Sequence, residues 1–292
     1  MPVAFRDLRY VRAALPDLEQ AARYATEILG LQPAGHEPGR AWFQSDFRAY
    51  SLCLEDASLV PGAADAIALT VSLAAELDGV AADLEKAGFP TRRLGAEDCA
   101  SRRIRSGIAT TAPNGIGVEI VWRPLDTGWR YHGPRDAGIT GLLAVALACT
   151  DIAADEAFWT GALGLAISDW VGDAAFLRLD GAHHRIALYP SKRDGLLGIS
   201  YAAEDLNAVM RNFYFLQDRQ LPIVHGPGRS PASEATFVTT RGPRDILFTY
   251  ATGMAQGDAV TGRPPRQFQD EALSHCLWGS ASSVPEFQGR AG

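Results

Sequence analysis

The chain has 292 residues, 47% hydrophobic and 21% charged, with a formal net charge of −7. That length predicts about two domains of roughly 150 residues each, with sizeable cores. The acidic balance argues against nucleic acid or an anionic membrane as partner, and the longest apolar run, Gly141 to Cys149, falls short of the ~20 residues that span a bilayer.

The N-terminal residues show no signal-peptide apolar stretch. Leu8 to Leu15 reads as a strand. A helix follows, with Leu18, Ala21, Ala22, Ala25, Ile28 and Leu29 on one stripe and Gly30 placed to end it. Strands fit Arg40 to Phe47, Ala49 to Glu55 and Ala66 to Leu73. The next helix carries Leu77, Val80, Ala81, Leu84 and Ala87, closed by Gly88 with Pro90 beyond. Strands at Arg103 to Thr111 and Gly117 to Trp122 are joined by the turn Pro113-Asn114-Gly115.

The order then repeats. Strand Leu142 to Ala148 leads into helix Ala153 to Leu163, then strands Ala174 to Leu179 and His184 to Tyr189. Strand Leu197 to Ala203, helix Leu206 to Gln217 and strands Ala235 to Thr239 and Ile246 to Tyr250 complete it. Asp17 with Leu29-Gly30-Leu31 reappears 134 residues later as Asp151 with Leu163-Gly164-Leu165, and Tyr10, Tyr50 and Leu54 fall on Ala144, His184 and Leu188. The predicted fold class is therefore α+β: four βαβββ modules paired into two domains. The expected divisions are an N-terminal domain 1–124, a Pro/Gly-punctuated linker 125–137, a C-terminal domain 138–253 holding the ligand cavity, and a tail 254–292 packed on the surface or partly disordered. Cys53, Cys99, Cys149 and Cys276 form no C-x-x-C pair. They read as buried free thiols of a cytoplasmic protein.

The pattern strand–Asp–helix–Phe–Leu-Gly-Leu over Leu142 to Leu165, the segment His183-His184-Arg185-Ile186-Ala187-Leu188 and the segment Gly228-Arg229-Ser230…Gly242-Pro243 resemble the vicinal oxygen chelate superfamily. Within it, the four modules are most similar to a two-domain type I extradiol dioxygenase. That resemblance implies an iron held in the C-terminal half by two His and one Glu. The three matching positions hold Ala144, Gly198 and Thr249, so the expectation here is no metal and no cofactor. In the N-terminal half the matching places hold Tyr10, Ala66 and Glu119, and one carboxylate makes no site.

The resemblance makes His184 the catalytic acid/base, chemistry an imidazole can perform without a metal. His183, by strand alternation, is expected on the opposite face. Ser230, Ser233 and Thr239 stand where the family carries further active-site groups. The Gly/Pro-rich loop Val224 to Glu234 adds His225, and Tyr201 and Tyr250 lie on strands expected to line the cavity. Together with Thr249 these are the candidate substrate-binding residues. The function expected is binding of an aromatic or ring-cleavage-derived small molecule with metal-independent isomerisation, hydration or C–C lysis, by a protein able to self-associate. A bleomycin-resistance-like binding protein and a ring-cleavage dioxygenase with atypical ligands are the alternatives.

Overall fold

The computed structural model describes residues 3–289. The first module runs β1 (Leu8–Leu15), α1 (Leu18–Arg23), β2 (Gln32–Glu37), β3 (Arg40–Gln44) and β4 (Leu52–Asp56). The second runs β5 (Ala66–Val71), α2 (Glu76–Lys86), β6 (Arg92–Arg93), α3 (Ala96–Ser101), β7 (Ile104–Thr111) and β8 (Gly117–Pro124). The third runs β9 (Ile139–Cys149), α4 (Ile152–Ala157), β10 (Ala166–Val171), β11 (Ala174–Arg178) and β12 (Ile186–Pro190). The fourth runs β13 (Gly195–Ala203), α5 (Leu206–Asp218), β14 (Ile223–Arg229), β15 (Thr236–Arg241) and β16 (Leu247–Thr252). Beyond it lie α6 (Asp258–Thr261), β17 (Arg266–Phe268) and α7 (Ala272–His275). This is the α+β vicinal oxygen chelate fold.

The repeated aspartates have a local cause. The side chains of Asp17, Asp151 and Asp205 accept hydrogen bonds from the backbone N–H of Gln20, Ala154 and Ala208, capping α1, α4 and α5. Both α1 and α4 continue as π-helical turns, Tyr24–Leu29 and Phe158–Ala162. Gly30 and Gly164 follow at φ +83° and +74°, a left-handed backbone that glycine adopts without strain.

Two sheets result, in the orders β2-β3-β4-β1-β5-β8-β7-β6 and β14-β15-β16-β13-β9-β12-β11-β10-β17. Each centre is built alike. β1 pairs in parallel with β4 and antiparallel with β5, and β9 does the same with β12 and β13. One face of each sheet joins a shared apolar core with the helices, including Val11, Leu54, Leu147, Ile199 and Phe248. The other faces diverge in content, and that divergence locates the site.

Two expectations are corrected. The segment Val224 to Glu234 is not all loop, because Ile223–Arg229 forms strand β14, placing His225 on a sheet edge. His184 precedes β12 instead of starting it. Of the two alternatives expected for the tail, packing is what residues 254–289 show, with β17 pairing in parallel with β10 at the edge of the second sheet.

Candidate functional site

The inner face of the first sheet is filled. Tyr10 stacks on Tyr50 at 4.8 Å between ring centres. Glu119 accepts from the Tyr10 hydroxyl at 2.6 Å, from Arg12 Nη1 at 2.6 Å and from Arg102 Nε at 2.7 Å, while Arg12 Nη2 reaches Glu55 at 2.6 Å. All of these side chains are buried. Buried charges persist only when paired, so Glu119 is the hub of an ion network that closes this face.

The same face of the second sheet carries smaller groups and encloses a cavity of about 110 Å³. Its floor is Ala144 and Ala146 of β9, Gly198 and Ser200 of β13, and Thr249 and Ala251 of β16. Alternation along each strand sends Leu147, Ile199 and Phe248 into the core instead. An engineered void of about 150 Å³ binds benzene, so this volume is in the range of one aromatic ring. Phe176, Tyr189, Phe237 and Phe287 form the aromatic part of the wall.

His184, His225, Ser230, Ser233, Thr239 and Thr249 all line this cavity. Thr239 and Thr249 face each other across the β15–β16 ladder, with their hydroxyls 2.9 Å apart. His184 packs edge-on against Phe176 at 5.0 Å. Burial, then the neighbouring His183 and Arg185, hold its pKa well below the ordinary imidazole value. His225 sits 4.8 Å from Phe237 and stacks on Phe287 at 5.8 Å. Burial, with His275 beside it, lowers its pKa to about 4. Both rings are therefore neutral near pH 7, able to donate through one nitrogen and accept through the other.

Tyr201 and Tyr250 are corrected: neither lines the cavity. Each follows a cavity-facing residue on its strand, Ser200 and Thr249, and so points into the core. The Tyr250 hydroxyl donates to the backbone carbonyls of Ile28 and Leu29 and accepts from Arg135, tying the fourth module to the first. His183 is also corrected. Both histidines precede β12, so strand alternation does not separate them. His183 Nδ1 lies 3.0 Å from His184 Nδ1, and its Nε2 lies 2.8 Å from Asp169.

Sequence reasoning missed Phe176, Tyr189, Ser200, Ser274, His275 and Phe287 as cavity residues. Strand alternation carried the signal for the first three: Ser200 lies two residues after Gly198, and Tyr189 two after Ala187. The last three come from the tail, whose composition carries no periodicity.

The positions for iron do not fit it. Ala144 offers a methyl, Gly198 a hydrogen and Thr249 a hydroxyl already shared with Thr239. A Cβ added at Gly198 would meet the Leu247 carbonyl oxygen at 3.0 Å and the Leu247 Cβ at 3.1 Å, so a larger donor side chain is crowded there. Among the described residues no three His, Cys, Asp or Glu side chains cluster in a way that could hold a metal ion. No helix among them is long and apolar enough to cross a membrane.

Comparison with known proteins agrees with this architecture. Residues 141–275 match the Glyoxalase/Bleomycin resistance protein/Dioxygenase superfamily. Biphenyl-2,3-diol 1,2-dioxygenase of Pseudomonas sp. (strain KKS102) is 27% identical over 62% of this chain and 66% of its own length. 3-Methylcatechol 2,3-dioxygenase of Pseudomonas putida is 29% identical over 63% of this chain and 68% of its own. The match thus spans about two thirds of the curated relatives. A crystal structure of a halotolerant catechol dioxygenase superposes with a TM-score of 0.86 at 19% identity, covering 97% of this chain and 96% of that one.

Proposed function

We propose that this chain, a vicinal oxygen chelate protein by its fold and by the superfamily match over residues 141–275, binds a single-ring phenolic or ring-cleavage-derived molecule and acts on it without a metal. The observation that carries this reading is the cavity itself. The three places that would hold metal donors are Ala144, Gly198 and Thr249, and the space they leave is lined by His184 and hydroxyls. The wall carries aromatic rings and neutral hydrogen-bonding groups and no Lys, Arg, Asp or Glu side chain. Of these two ligand classes the phenol suits such a wall better, because the carboxylate of a ring-cleavage product would be buried without a counter-charge. The relatives' names, which specify aromatic diols, support the same ligand class.

In isomerisation His184 takes a proton from the ligand's hydroxyl or acidic carbon and returns it elsewhere on the ligand. In hydration it takes a proton from a water whose oxygen adds to one carbon of a double bond and returns that proton to the other. In C–C lysis it takes a hydroxyl proton as the carbonyl forms and the adjacent C–C bond breaks, and returns it to the released carbon. Ser230, Ser233 and the Thr239–Thr249 pair orient polar groups, and His225 with Phe287 contacts the ring. The ligand domain comprises residues 138–253 with the tail closing one wall. The four cysteines, all unpaired, suit a cytoplasmic setting.

The test is elemental analysis of protein purified without chelator, alongside catechol titration and a ring-cleavage assay. The reading expects substoichiometric iron and manganese and saturable catechol binding that survives EDTA. Stoichiometric iron or manganese together with a yellow ring-cleavage product would overturn it. Once a turned-over substrate is found, unchanged turnover in His184→Ala would defeat the catalytic role.

A further inference from the structure

Asp169 on β10 is fully buried yet outside the cavity wall. Its carboxylate accepts from Arg263 Nη1 and Nη2 at 2.8 and 2.9 Å. It also accepts from the Arg266 backbone N–H at 2.8 Å and from Arg266 Nη2 at 2.7 Å. Burial alone would raise its pKa, but hydrogen bonds from His183, Arg266 and Arg263 outweigh that and hold it well below the ordinary carboxylate range. Two guanidiniums already neutralise this group. A third partner, His183 Nε2 at 2.8 Å, connects the cluster to the cavity.

The hydrogens along this chain can be assigned by elimination. An ionised carboxylate only accepts, so His183 Nε2 carries a hydrogen. A singly protonated His183 with its hydrogen on Nε2 has a bare Nδ1. The 3.0 Å contact between the two Nδ1 atoms then needs its hydrogen on His184 Nδ1. Nε2 of His184, which makes no hydrogen bond to protein among the described residues, is left with its lone pair.

We propose that Asp169 and His183 are positioning residues that fix His184 as the tautomer protonated on Nδ1, so that it meets the cavity's ligand through a bare Nε2 as a base. This rests on the reading of the cavity as a site of acid/base chemistry and adds which direction the first proton moves, from ligand to Nε2. The cationic charge that forms is shared through His183 toward Asp169. The logic is that of the buried aspartate in serine proteases, where Asp→Asn inverts the histidine tautomer. It also gives the tail a role in the site, since Arg263 and Arg266 hold Asp169 from beyond the fourth module.

The test is long-range ¹H–¹⁵N NMR of protein with ¹⁵N-labelled histidine, at pH 7.5 and without ligand. Wild type is expected to show His184 with a pyridine-type Nε2 and a pyrrole-type Nδ1. In Asp169→Asn the amide NH₂ can donate to His183 Nε2, which moves the hydrogen of His183 to Nδ1 and inverts His184, so its Nε2 signal shifts to the pyrrole-type position. A pyrrole-type Nε2 in wild type, or an unchanged His184 in Asp169→Asn, overturns the proposal. If Asp169→Asn does not fold, His183→Phe keeps ring bulk while deleting the acceptor. His184 should then populate both tautomers, and a pure Nδ1–H form in that variant is equally fatal. None of these signals depends on turnover, so a correct tautomer without catechol binding would sink the functional reading alone.

Discussion

Tyr10 and Ala144 hold the same place in the two sheets, each on the strand that pairs in parallel with its module's last strand and antiparallel with the next module's first. Tyr10 fills its sheet's inner face by stacking on Tyr50 and donating to Glu119. Ala144 leaves that volume open and lines the cavity. Refilling it should therefore close the site without disturbing the fold. Ala144→Leu is expected to weaken catechol binding at least about tenfold, equivalent to roughly 1.4 kcal/mol. Because the added carbons enter existing space, the denaturant midpoint should move by less than about 1 kcal/mol equivalent. Retained affinity in calorimetric titration would place the ligand elsewhere.

Gly198 gives the opposite expectation at a neighbouring point of the same floor. It sits against Leu247 on the adjacent β16, in register with it. A Cβ there would approach the Leu247 carbonyl oxygen at 3.0 Å, backbone that cannot rotate away. Gly198→Ala should destabilise by about 1–3 kcal/mol, the usual range for overpacking. Urea unfolding monitored by tryptophan fluorescence reads this directly, and a neutral effect would show that β13 and β16 can spread.

Much of this arrangement was legible in the chain, for identifiable reasons. The modules were readable because Asp17 and Asp151 cap helices and Gly30 and Gly164 end the turns after them, so the repeat is written in local chemistry. Strand β10 was not readable. Two of its three buried residues, Ser168 and Asp169, are polar, which breaks the apolar alternation that marks a strand. Strand β14 was hidden by Gly226-Pro227-Gly228, which reads as a loop. It is an edge strand, where a missing backbone donor is tolerated. The sequence suggests Tyr201 and Tyr250 for the cavity because aromatic residues on a cavity strand suit either face. A single residue of phase decides between them, and sequence composition does not carry that phase. The contribution of Arg263, Arg266, His275 and Phe287 depends on where a segment without periodicity docks, which is a tertiary property.

Asp155 on α4 joins the second module to the third and gives a pH-dependent prediction. Its Oδ1 accepts from the Asn114 backbone N–H at 3.2 Å, and its buried Oδ2 has no hydrogen-bond partner. Burial raises its pKa to about 6, against an ordinary 3.8. Between those values the folded protein keeps a proton that the unfolded chain has released, so stability falls as pH rises through roughly 4 to 6 and stays lower above it. Asp155→Asn keeps Oδ1 and removes the charge. It should stabilise the protein at pH 7.5 by about 1–3 kcal/mol and have little effect at pH 4. Equal effects at both pH values would mean that the carboxyl ionises in the fold as readily as in the unfolded chain.

His225 predicts loss of stability on the acid side. It lies on β14 with Phe237 and Phe287 against its ring and His275 of α7 near it, the latter 3.4 Å from Asp270. The unfolded chain binds a proton at about 6.5, whereas the folded ring resists until about 4. Stability is therefore full above about pH 7, declines as pH falls through that window, and levels off below it. At 1.36 kcal/mol per pH unit the decline from this one residue is on the order of 3 kcal/mol. His184, shifted the same way by burial, adds to it. His225→Phe removes the titrating group while keeping the stack on Phe287, so its chemical-denaturation stability should fall less steeply between pH 6.5 and 4 than that of wild type. Parallel curves for the two proteins would show that His225 takes up its proton in the folded state as readily as in the unfolded one, and the neutral, donor–acceptor character assigned to this wall of the cavity would then be wrong.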